Sequence, residues 1–442
     1  MSIKYPRVLI VSHNALSETQ SNGKTLSAFF RKWDKDHLAQ LYLTTDVPEF
    51  AVCNKFFQIN DIDIIKRALF NNRVQGRIVS YSDKVEMLTL KNGITNNPVL
   101  KVIRKNISPL FRFLRDMLWN ISGYKTDNLK KFIDEFNPEV VFFQSSSGVF
   151  AFSIIKWICN YKNIPLVMQT TDDYVSSMFT PNPFFWIQQI RLINAYKWAV
   201  SYAYYVIAIG EKMAIEYKNR FSGNYFVAMN SIPDPLLPKY IPKNNEIKLI
   251  YAGNLGLNRW KVLVLIAECL EDLYEEEGYK GELSIFSLIE PESKELLLLN
   301  RPPYSHFKGA LNTEELNNIK KYCDILVHVE AFDKKNRHIT RLSISTKIPE
   351  YLASGRCVFA VGPKDVASMQ YLAENDLGVT VMSDDKLDIK RSLKEIMINN
   401  ELRTLYAEKG IEVARLFHNA DKTAENIFQI VTSSIRNFSK SN

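Results

Sequence analysis

The chain has 442 residues, of which 46% are hydrophobic, and its net charge is +8, from 56 basic and 48 acidic residues. This length exceeds one typical core and predicts two domains, and the apolar content is ordinary for a globular protein. The basic excess is too diffuse to indicate nucleic-acid binding. It suits anionic partners such as nucleotides, phospholipid headgroups or lipid-linked diphosphates.

The cysteine pattern and the lack of long apolar stretches predict a cytoplasmic protein. The five cysteines are scattered without metal-ligand spacing and indicate reduced core residues. No uninterrupted apolar stretch reaches the roughly 18 residues of a membrane span, and the chain opens directly into a strand. We expect at most peripheral attachment to the inner face of a cell membrane.

The first predicted strand covers residues 7–12 and leads through a polar loop, residues 13–24, into a helix that starts at Thr25. Gly23 lies near the end of this loop. It could let a phosphate or a sugar approach the helix start, although an ordinary strand–helix turn explains the same glycine.

Residues 101–122 are predicted to form a basic amphipathic helix, with five basic residues against one acid, Asp116. Its apolar residues recur at three- and four-residue steps: Leu110, Phe111, Leu114, Met117, Leu118 and Ile121. This pattern is typical of a helix that lies on an anionic membrane surface. Alternatively, the helix packs its apolar face on the core and leaves its charges in water.

Asp172 and Asp173 follow a buried strand that begins at Pro165. Ligands of open α/β sheets gather at the carboxyl ends of strands. Either carboxylate could therefore accept a proton from the hydroxyl of an acceptor substrate, or could orient that hydroxyl. Alternatively, one of them caps the next helix.

Residues 231–245 carry four prolines and few helix or strand signals, which is typical of a linker. Strands alternate with helices on both sides of it, which predicts an α/β protein with two doubly wound parallel sheets. The predicted division is a first domain at 1–232, a linker at 233–246, a second domain at 247–416 and a C-terminal helix at 417–442.

A glycine-containing loop follows the strand at residues 247–252 and carries Gly253, Asn254, Gly256, Arg259 and Lys261. The glycines would let the backbone approach a diphosphate, and the two cations bring positive charge to the start of the next helix. The spacing differs from the dinucleotide-binding G-x-G-x-x-G pattern, which disfavours a nicotinamide cofactor.

The segment 330–345 is a predicted basic loop: either a solvated surface loop or a mobile lid in which Arg341 grips a diphosphate. Ser345 or Thr346 is predicted to cap the short helix that follows. An anion at this helix start would meet the Lys347 ammonium, and Glu350 could accept hydrogen bonds from sugar hydroxyls.

Three segments resemble GT-B glycosyltransferases, especially the large retaining family of bacterial polysaccharide enzymes. Glu350-Tyr-Leu-Ala-Ser-Gly, followed by an apolar strand, is similar to the family's Glu-Ala-Met-Ala-x-Gly-x-Pro-Val signature. Residues 247–256 resemble its first C-domain strand and glycine loop, and residues 316–329 resemble a further helix and strand. The resemblance covers roughly residues 246–415.

The resemblance implies two Rossmann-like domains facing a cleft, the first binding the acceptor and the second a nucleotide sugar, and a C-terminal helix that crosses back to the first domain. It implies a nucleoside-diphosphate sugar bound between residues 253–261 and 341–351, with Glu350 on the ribose and Tyr351 beside it. It also implies that the loop carrying Gly23 faces the cleft.

The sequence departs from the family at two positions. Many members carry two glutamates seven residues apart; Glu350 matches the second, and Ser343 stands at the first. Asn254 stands where an arginine often follows the first glycine of the loop. Arg259, Arg341 and Lys347 are candidates to supply the missing charge.

The sequence therefore predicts a hexosyltransferase-type glycosyltransferase that moves a sugar from a nucleoside-diphosphate donor to a glycan or lipid-linked acceptor. Bacterial surface polysaccharide synthesis, such as that of capsule or lipopolysaccharide, is the expected setting, with retention of configuration and neither metal nor cofactor. The pair Asp61 and Asp63 starts a helix and is read as a cap. Two alternatives are a catalytically silent partner subunit and a nucleotide-sugar epimerase.

Overall fold

The computed structural model describes residues 5–18, 21–70, 76–83, 109–175, 180, 182–232, 246–288 and 290–441. The chain divides into two compact units. Unit 1 is Met1–Ala228 with Ala420–Asn442, and unit 2 is Met229–Asn419. Both are α/β, as the alternating pattern predicts.

Unit 1 contains a sheet in the order β4-β3-β2-β1-β5-β6-β7-β8, in which only β4 runs antiparallel to its neighbour. Its strands are β1 Val8–Ser12, β2 Leu38–Tyr42, β3 Lys55–Gln58, β4 Arg77–Val79, β5 Val140–Gln144, β6 Leu166–Thr170, β7 Ala203–Ala208 and β8 Tyr225–Val227. The central strands β1, β2, β5 and β6 are buried at every position because helices cover both faces of a parallel sheet.

The helices of unit 1 that precede the linker are α1 Ser21–Phe30, α2 Asp61–Phe70, α3 Pro109–Ser122, α4 Asp127–Phe136, α5 Val149–Lys162, α6 Pro183–Tyr202 and α7 Glu211–Phe221. Helix α1 starts four residues earlier than predicted, so Gly23 lies in its first turn rather than in a loop. Residues 233–245 of the predicted linker and residues 101–108 of the predicted basic helix lie outside the described residues.

Unit 2 contains a six-stranded parallel sheet in the order β11-β10-β9-β12-β13-β14. Its strands are β9 Ile247–Ala252, β10 Gly281–Phe286, β11 Ser305–Gly309, β12 Ile325–Val329, β13 Cys357–Val361 and β14 Val379–Val381. Its helices are α8 Arg259–Glu277, α9 Ser293–Leu299, α10 Thr313–Lys320, α11 Lys334–Thr340, α12 Ile348–Ala353, α13 Ala367–Glu374, α14 Lys386–Ile398 and α15 Asn400–Phe417.

Helix α16, Ala420–Ser441, packs against α1, β6 and β7 and belongs to unit 1. Lys32, just after α1, forms an ion pair with Glu425 on this helix at 2.7 Å, and Ile427 and Val431 are fully buried in the same core. The chain therefore returns to unit 1 after completing unit 2.

The structure also tests the predicted loop at residues 330–345 and the predicted burial of the cysteines. The segment 330–345 is not wholly a loop, because Asp333 accepts a hydrogen bond from the backbone N–H of Asn336 and so starts helix α11. All five cysteines are buried with free thiols, which confirms their predicted core role. Among the described residues, no helix has the length and apolar content needed to cross a membrane.

Candidate functional site

The candidate site of unit 2 lies where its strand order reverses. From β9 the chain moves outward to β10 and β11, and it then crosses to β12 on the other side of β9. The carboxyl ends of β9 and β12 therefore flank the switch point at which open α/β sheets bind ligands. Gly253 directly follows β9, and Glu330 directly follows β12.

The loop after β9 is folded by its own polar groups. The side-chain oxygen of Asn254 accepts a hydrogen bond from the backbone N–H of Gly256 at 2.6 Å, and the Tyr251 hydroxyl donates to the carbonyl of Asn254 at 2.8 Å. Leu257 and Asn258 then adopt left-handed backbone angles before α8 begins. Asn254 thus shapes the turn at the position where the family often has an arginine.

Gly253 is required by the close approach of Lys347. A side-chain carbon at Gly253 would lie 2.7 Å from Nζ of Lys347 and 2.5 Å from the hydroxyl of Tyr251. Both distances are shorter than atoms can tolerate, so a larger residue would displace one of these groups. The predicted glycine loop and the predicted lysine are therefore neighbours.

Lys347 is a cation without an ion-pair partner among the described residues. Its ammonium lies 5.9 Å from the centre of the Tyr251 ring. Burial, together with the neighbouring positive charge of Arg259, lowers the pKa of Lys347 to about 8, although the charges of Glu350 and Glu330 oppose this shift. Because burial destabilises the charged form of Lys347, an anion bound beside its ammonium would stabilise that charge.

Arg259, unlike Lys347, forms an ion pair with a carboxylate of the same unit, that of Glu330. Its guanidinium donates to both oxygens of the buried Glu330 carboxylate at 2.9–3.2 Å. Burial raises the pKa of Glu330, although the Arg259 charge opposes that rise. His328 Nε2 lies 3.7 Å from the same carboxylate, but burial lowers the pKa of His328 to about 3, so its ring is neutral. Arg259 therefore reaches the site with its charge compensated.

Glu350 is held by a lysine that the sequence did not single out. Nζ of Lys320, on α10, donates to a carboxylate oxygen of Glu350 at 3.1 Å. Lys320 is only 5% exposed, whereas about a quarter of the Glu350 side chain is accessible. Glu350 can therefore receive a ligand while its other side is fixed by the protein.

Tyr351 does not face the site and is a correction to the sequence-based prediction. It is 2% exposed, and its hydroxyl bonds to the backbone N–H and carbonyl of Ala252, both at 3.3 Å. Its role is to hold the end of β9, from which the glycine loop departs.

The predicted side-chain cap of α12 is also wrong. The N-cap is Lys347, with no side-chain cap bond, so neither Ser345 nor Thr346 has that role. The backbone N–H of Ser345 donates to the hydroxyl of Ser368 at 2.9 Å, and Thr346 is half-buried.

Arg341 and Lys261 are placed at the margins of this cluster. Arg341 is half-buried at the end of α11, and Lys261 is exposed with its ammonium 5.7 Å from the ring of Trp260. Asp333 at the start of α11 accepts a hydrogen bond from the Asn258 side chain at 3.0 Å. This bond ties α11 to the glycine loop.

The remaining predicted site residues belong to unit 1. Gly23 packs on its own preceding loop, because a side-chain carbon there would clash with the carbonyl of Ala15 and lie 2.8 Å from the backbone nitrogen of Ser17. Asp61 and Asp63 lie at the start of α2, as predicted. The capping side chain is Asn60, which accepts from the N–H of Asp63, while Asp63 accepts from the N–H of Asn60; Asp61 bonds to Arg115 and Trp119 instead, so the predicted cap is correct only for Asp63.

Asp172 and Asp173 have different surroundings. The Asp173 side chain is 1% exposed and accepts hydrogen bonds from Arg220 at 2.9 Å and from the Tyr217 hydroxyl at 3.0 Å. Asp172 is partly exposed and accepts from the Tyr174 hydroxyl at 3.1 Å. Helix α6 is capped by Asn182, so neither aspartate caps it. Asp172 is therefore the better candidate for a catalytic base.

Comparison with known proteins gives structural matches only. No family model and no curated protein sequence matches the chain. A sucrose-phosphate synthase from Thermosynechococcus elongatus is 12% identical, with a TM-score of 0.62 over 97% of this chain and 99% of that one. Alr3699/HepE from Anabaena, solved in complex with UDP, is 12% identical, with a TM-score of 0.61 over 97% and 100%.

A glycosyltransferase from Rickettsia africae is 10% identical, with a TM-score of 0.59 over 99% of this chain and 100% of that one. Similarity at this level of identity establishes a fold and leaves the activity open. The chain has the GT-B fold, which confirms the fold expected from the resemblance of its motifs.

Proposed function

We propose that the protein is a glycosyltransferase that binds a nucleoside-diphosphate sugar at the switch point of unit 2. The observation that carries this proposal is the position of Lys347 against the glycine loop at Gly253. Burial destabilises the charged form of this lysine, and it has no ion-pair partner among the described residues. A diphosphate there would supply the missing negative charge. The UDP complex of the Anabaena neighbour makes UDP-sugars the first donors to test.

In this proposal each unit-2 residue has one task. Lys347 and the backbone of the loop Gly253–Gly256 hold the diphosphate, and Glu350, fixed by Lys320, accepts hydrogen bonds from the ribose hydroxyls. The bond between the sugar anomeric carbon and the diphosphate oxygen breaks as an acceptor oxygen bonds to that carbon. Lys347 stabilises the charge that develops on the leaving diphosphate, so the reaction would need no metal.

The acceptor is proposed to be a glycan or a lipid-linked saccharide of a surface polysaccharide pathway. Asp172 would accept the proton that the acceptor hydroxyl loses. The basic, amphipathic character of residues 101–122 supports a lipid-linked acceptor, because such a segment suits an anionic membrane. Retention of the anomeric configuration is part of the proposal and would be read from the product by NMR.

The test is a thermal-shift screen of the full chain against UDP-, GDP-, dTDP- and ADP-sugars, each with and without EDTA. A ligand at a hundred times its dissociation constant should add about 2.7 kcal/mol of stability. We expect one base to stand out regardless of EDTA, and Lys347→Met to abolish its effect. Lys364→Met, at an exposed lysine of the same unit, is the matched control. Equal shifts in both variants would refute the proposed donor site.

A silent partner subunit is the second candidate, because Ser343 stands where many members of the resembled family have the first of two glutamates. It predicts donor binding without turnover: no hydrolysis of the donor and no transfer to extracted lipid-linked acceptors. Donor turnover by the purified chain would exclude it.

A further inference from the structure

Helix α3 turns most of its large apolar residues outward and buries an acidic residue and a tryptophan. Asp116 and Trp119 are each 1% exposed. Five large apolar residues of the same helix are 36–74% exposed: Leu110, Phe111, Leu114, Met117 and Ile121. The sequence left open whether this apolar face packs on the core, and the structure shows that it does not.

Directional contacts fix this orientation. The Asp116 carboxylate accepts hydrogen bonds from the Gln188 side chain and from the backbone N–H of Phe150 at the start of α5. On the next turn, the Trp119 ring stacks on Phe150 with ring centres 4.2 Å apart, and its N–H donates to Asp61 at 2.8 Å. Turning the apolar face inward would break all of these bonds and expose Trp119.

Arg115 strengthens the same attachment, since its guanidinium also donates to Asp61 at 2.8 Å and lies 4.9 Å from the Phe150 ring. Helix α3 is thus bonded to α2 through Asp61 and to α6 through Gln188. The exposed apolar face is a fixed property of the folded unit.

Exposed apolar side chains also lie on two of the helices that pack against α3, namely α2 and α6. They are Ile62, Ile65, Trp186, Ile187 and Ile190. Ten large apolar side chains on three adjoining helices exceed what a soluble surface usually leaves in water, and such a patch marks an interaction site.

The charges on α2, α3 and α6 indicate which kind of partner would bind this surface. The three helices carry six basic residues, namely Lys66, Arg67, Arg112, Arg115, Arg191 and Lys197, against three acids. Each acid is engaged within the unit: Asp61 by Arg115 and Trp119, Asp63 by the backbone of Asn60, and Asp116 by Gln188. Arg115 and Asp61 neutralise each other, and the five other basic residues outnumber Asp63 and Asp116. The three helices therefore combine exposed apolar side chains with a net positive charge.

An anionic bilayer matches both properties, because acyl chains accept the apolar side chains while headgroups neutralise the cations. A second copy of the chain matches only the apolar part. A twofold contact would place the same cations against one another, and like charges across an interface are unfavourable.

We propose that the outer faces of α2, α3 and α6 form a docking surface for an anionic phospholipid bilayer. The surface lies in unit 1 and involves none of the donor-binding residues. This proposal rests on the lipid-linked acceptor of the proposed function, and vesicle binding is measured separately from donor binding, so the failure of one leaves the other distinguishable.

The test is flotation of the full-length protein with vesicles of phosphatidylcholine alone and of phosphatidylcholine with about one-third phosphatidylglycerol. We expect binding to the anionic vesicles, weakened by high salt. Leu114→Ser with Ile121→Ser should lower the partition coefficient by about tenfold per side chain. Arg112→Gln should lower it by about fivefold. Ile215→Ser, at a 61% exposed isoleucine on α7, is the matched control and should bind normally.

Three outcomes would overturn the proposal: no binding to anionic vesicles, equal binding to neutral ones, or unchanged binding of the double variant. A concentration-dependent dimer in light scattering that the double variant abolishes, without vesicle binding, would assign the surface to a second copy instead. Correct folding of the double variant is checked by its thermal midpoint and by its donor-induced shift. Both should match those of the unmodified protein because the substituted side chains are exposed.

Discussion

Donor affinity should fall as the pH rises through the pKa of Lys347. With a free-state pKa of about 8, Lys347 is mostly charged at pH 7 and mostly neutral at pH 9. If only the charged form binds the diphosphate, the apparent dissociation constant scales as 1 + 10^(pH − 8). Affinity then weakens about tenfold between pH 7 and pH 9.

The assay is isothermal titration calorimetry with the best donor from the thermal-shift screen, across this pH range. Buffers with different ionisation enthalpies should reveal proton uptake on binding near pH 8, since the diphosphate raises the pKa of Lys347. Lys347→Met should bind weakly and without this dependence, which separates the lysine from any titration of the ligand itself. An affinity that is constant from pH 7 to pH 9, or a pH dependence retained in Lys347→Met, would refute the reasoning.

The same substitution should stabilise the protein. The pKa of Lys347 is lowered on folding, from 10.5 to about 8, so the penalty is fully present below pH 8 and disappears as the pH approaches 10.5. Lys347→Met should therefore gain about 1 kcal/mol near pH 7, or roughly 2–4 °C in the midpoint of unit 2. The gain should shrink in alkaline buffer, and Lys364→Met should show no gain.

Four further substitutions test other residues, with Lys321→Met as a control for one of them. Gly253→Ala should weaken donor binding by about tenfold or more, because the added carbon displaces the ammonium beside it; titration calorimetry measures this. Lys320→Met should abolish the preference for UDP over 2′-deoxy-UDP, since Glu350 loses the partner that orients it, whereas Lys321→Met should keep the preference. Asp173→Asn should cost about 3 kcal/mol in denaturant unfolding because it breaks a buried ion pair, whereas Asp172→Asn should leave stability nearly unchanged and lower transfer by about a hundredfold or more.

The fold could be predicted from the sequence because it rests on local, periodic signals. Buried parallel strands are mostly apolar runs, and the predicted strand at residues 247–252 is β9 to the residue. Helix starts are readable where a side chain makes the cap, as at Asn312 and Glu315, which form a capping box at the start of α10. Gly355, with φ of +62°, follows the end of α12. Helix α11 was missed because six of its seven residues are polar or basic, and the single apolar residue, Ile339, sets no periodicity.

The candidate site was only partly predictable, because a side chain's partner is a property of the folded chain. The sequence identified Arg259, but not the Glu330 that neutralises it. A polar pair at the end of an apolar strand, His328 and Glu330, was the available signal. Nothing marked Lys320, since a lysine on a helix is usually solvated and its burial beside Glu350 depends on tertiary packing.

The orientation of helix α3 could not be predicted from the sequence either. Periodicity measures how strongly a helix separates polar from apolar residues, and it carries no information on which face points inward. Here the inward face is chosen by Asp116, whose burial requires the Gln188 side chain and the free N–H at the start of α5. Those partners lie 34 and 72 residues further along the chain. A helix anchored through Asp116 and Trp119 leaves most of its large apolar residues exposed. The direction of burial, rather than the amphipathicity, therefore decides which face of α3 lies at the surface.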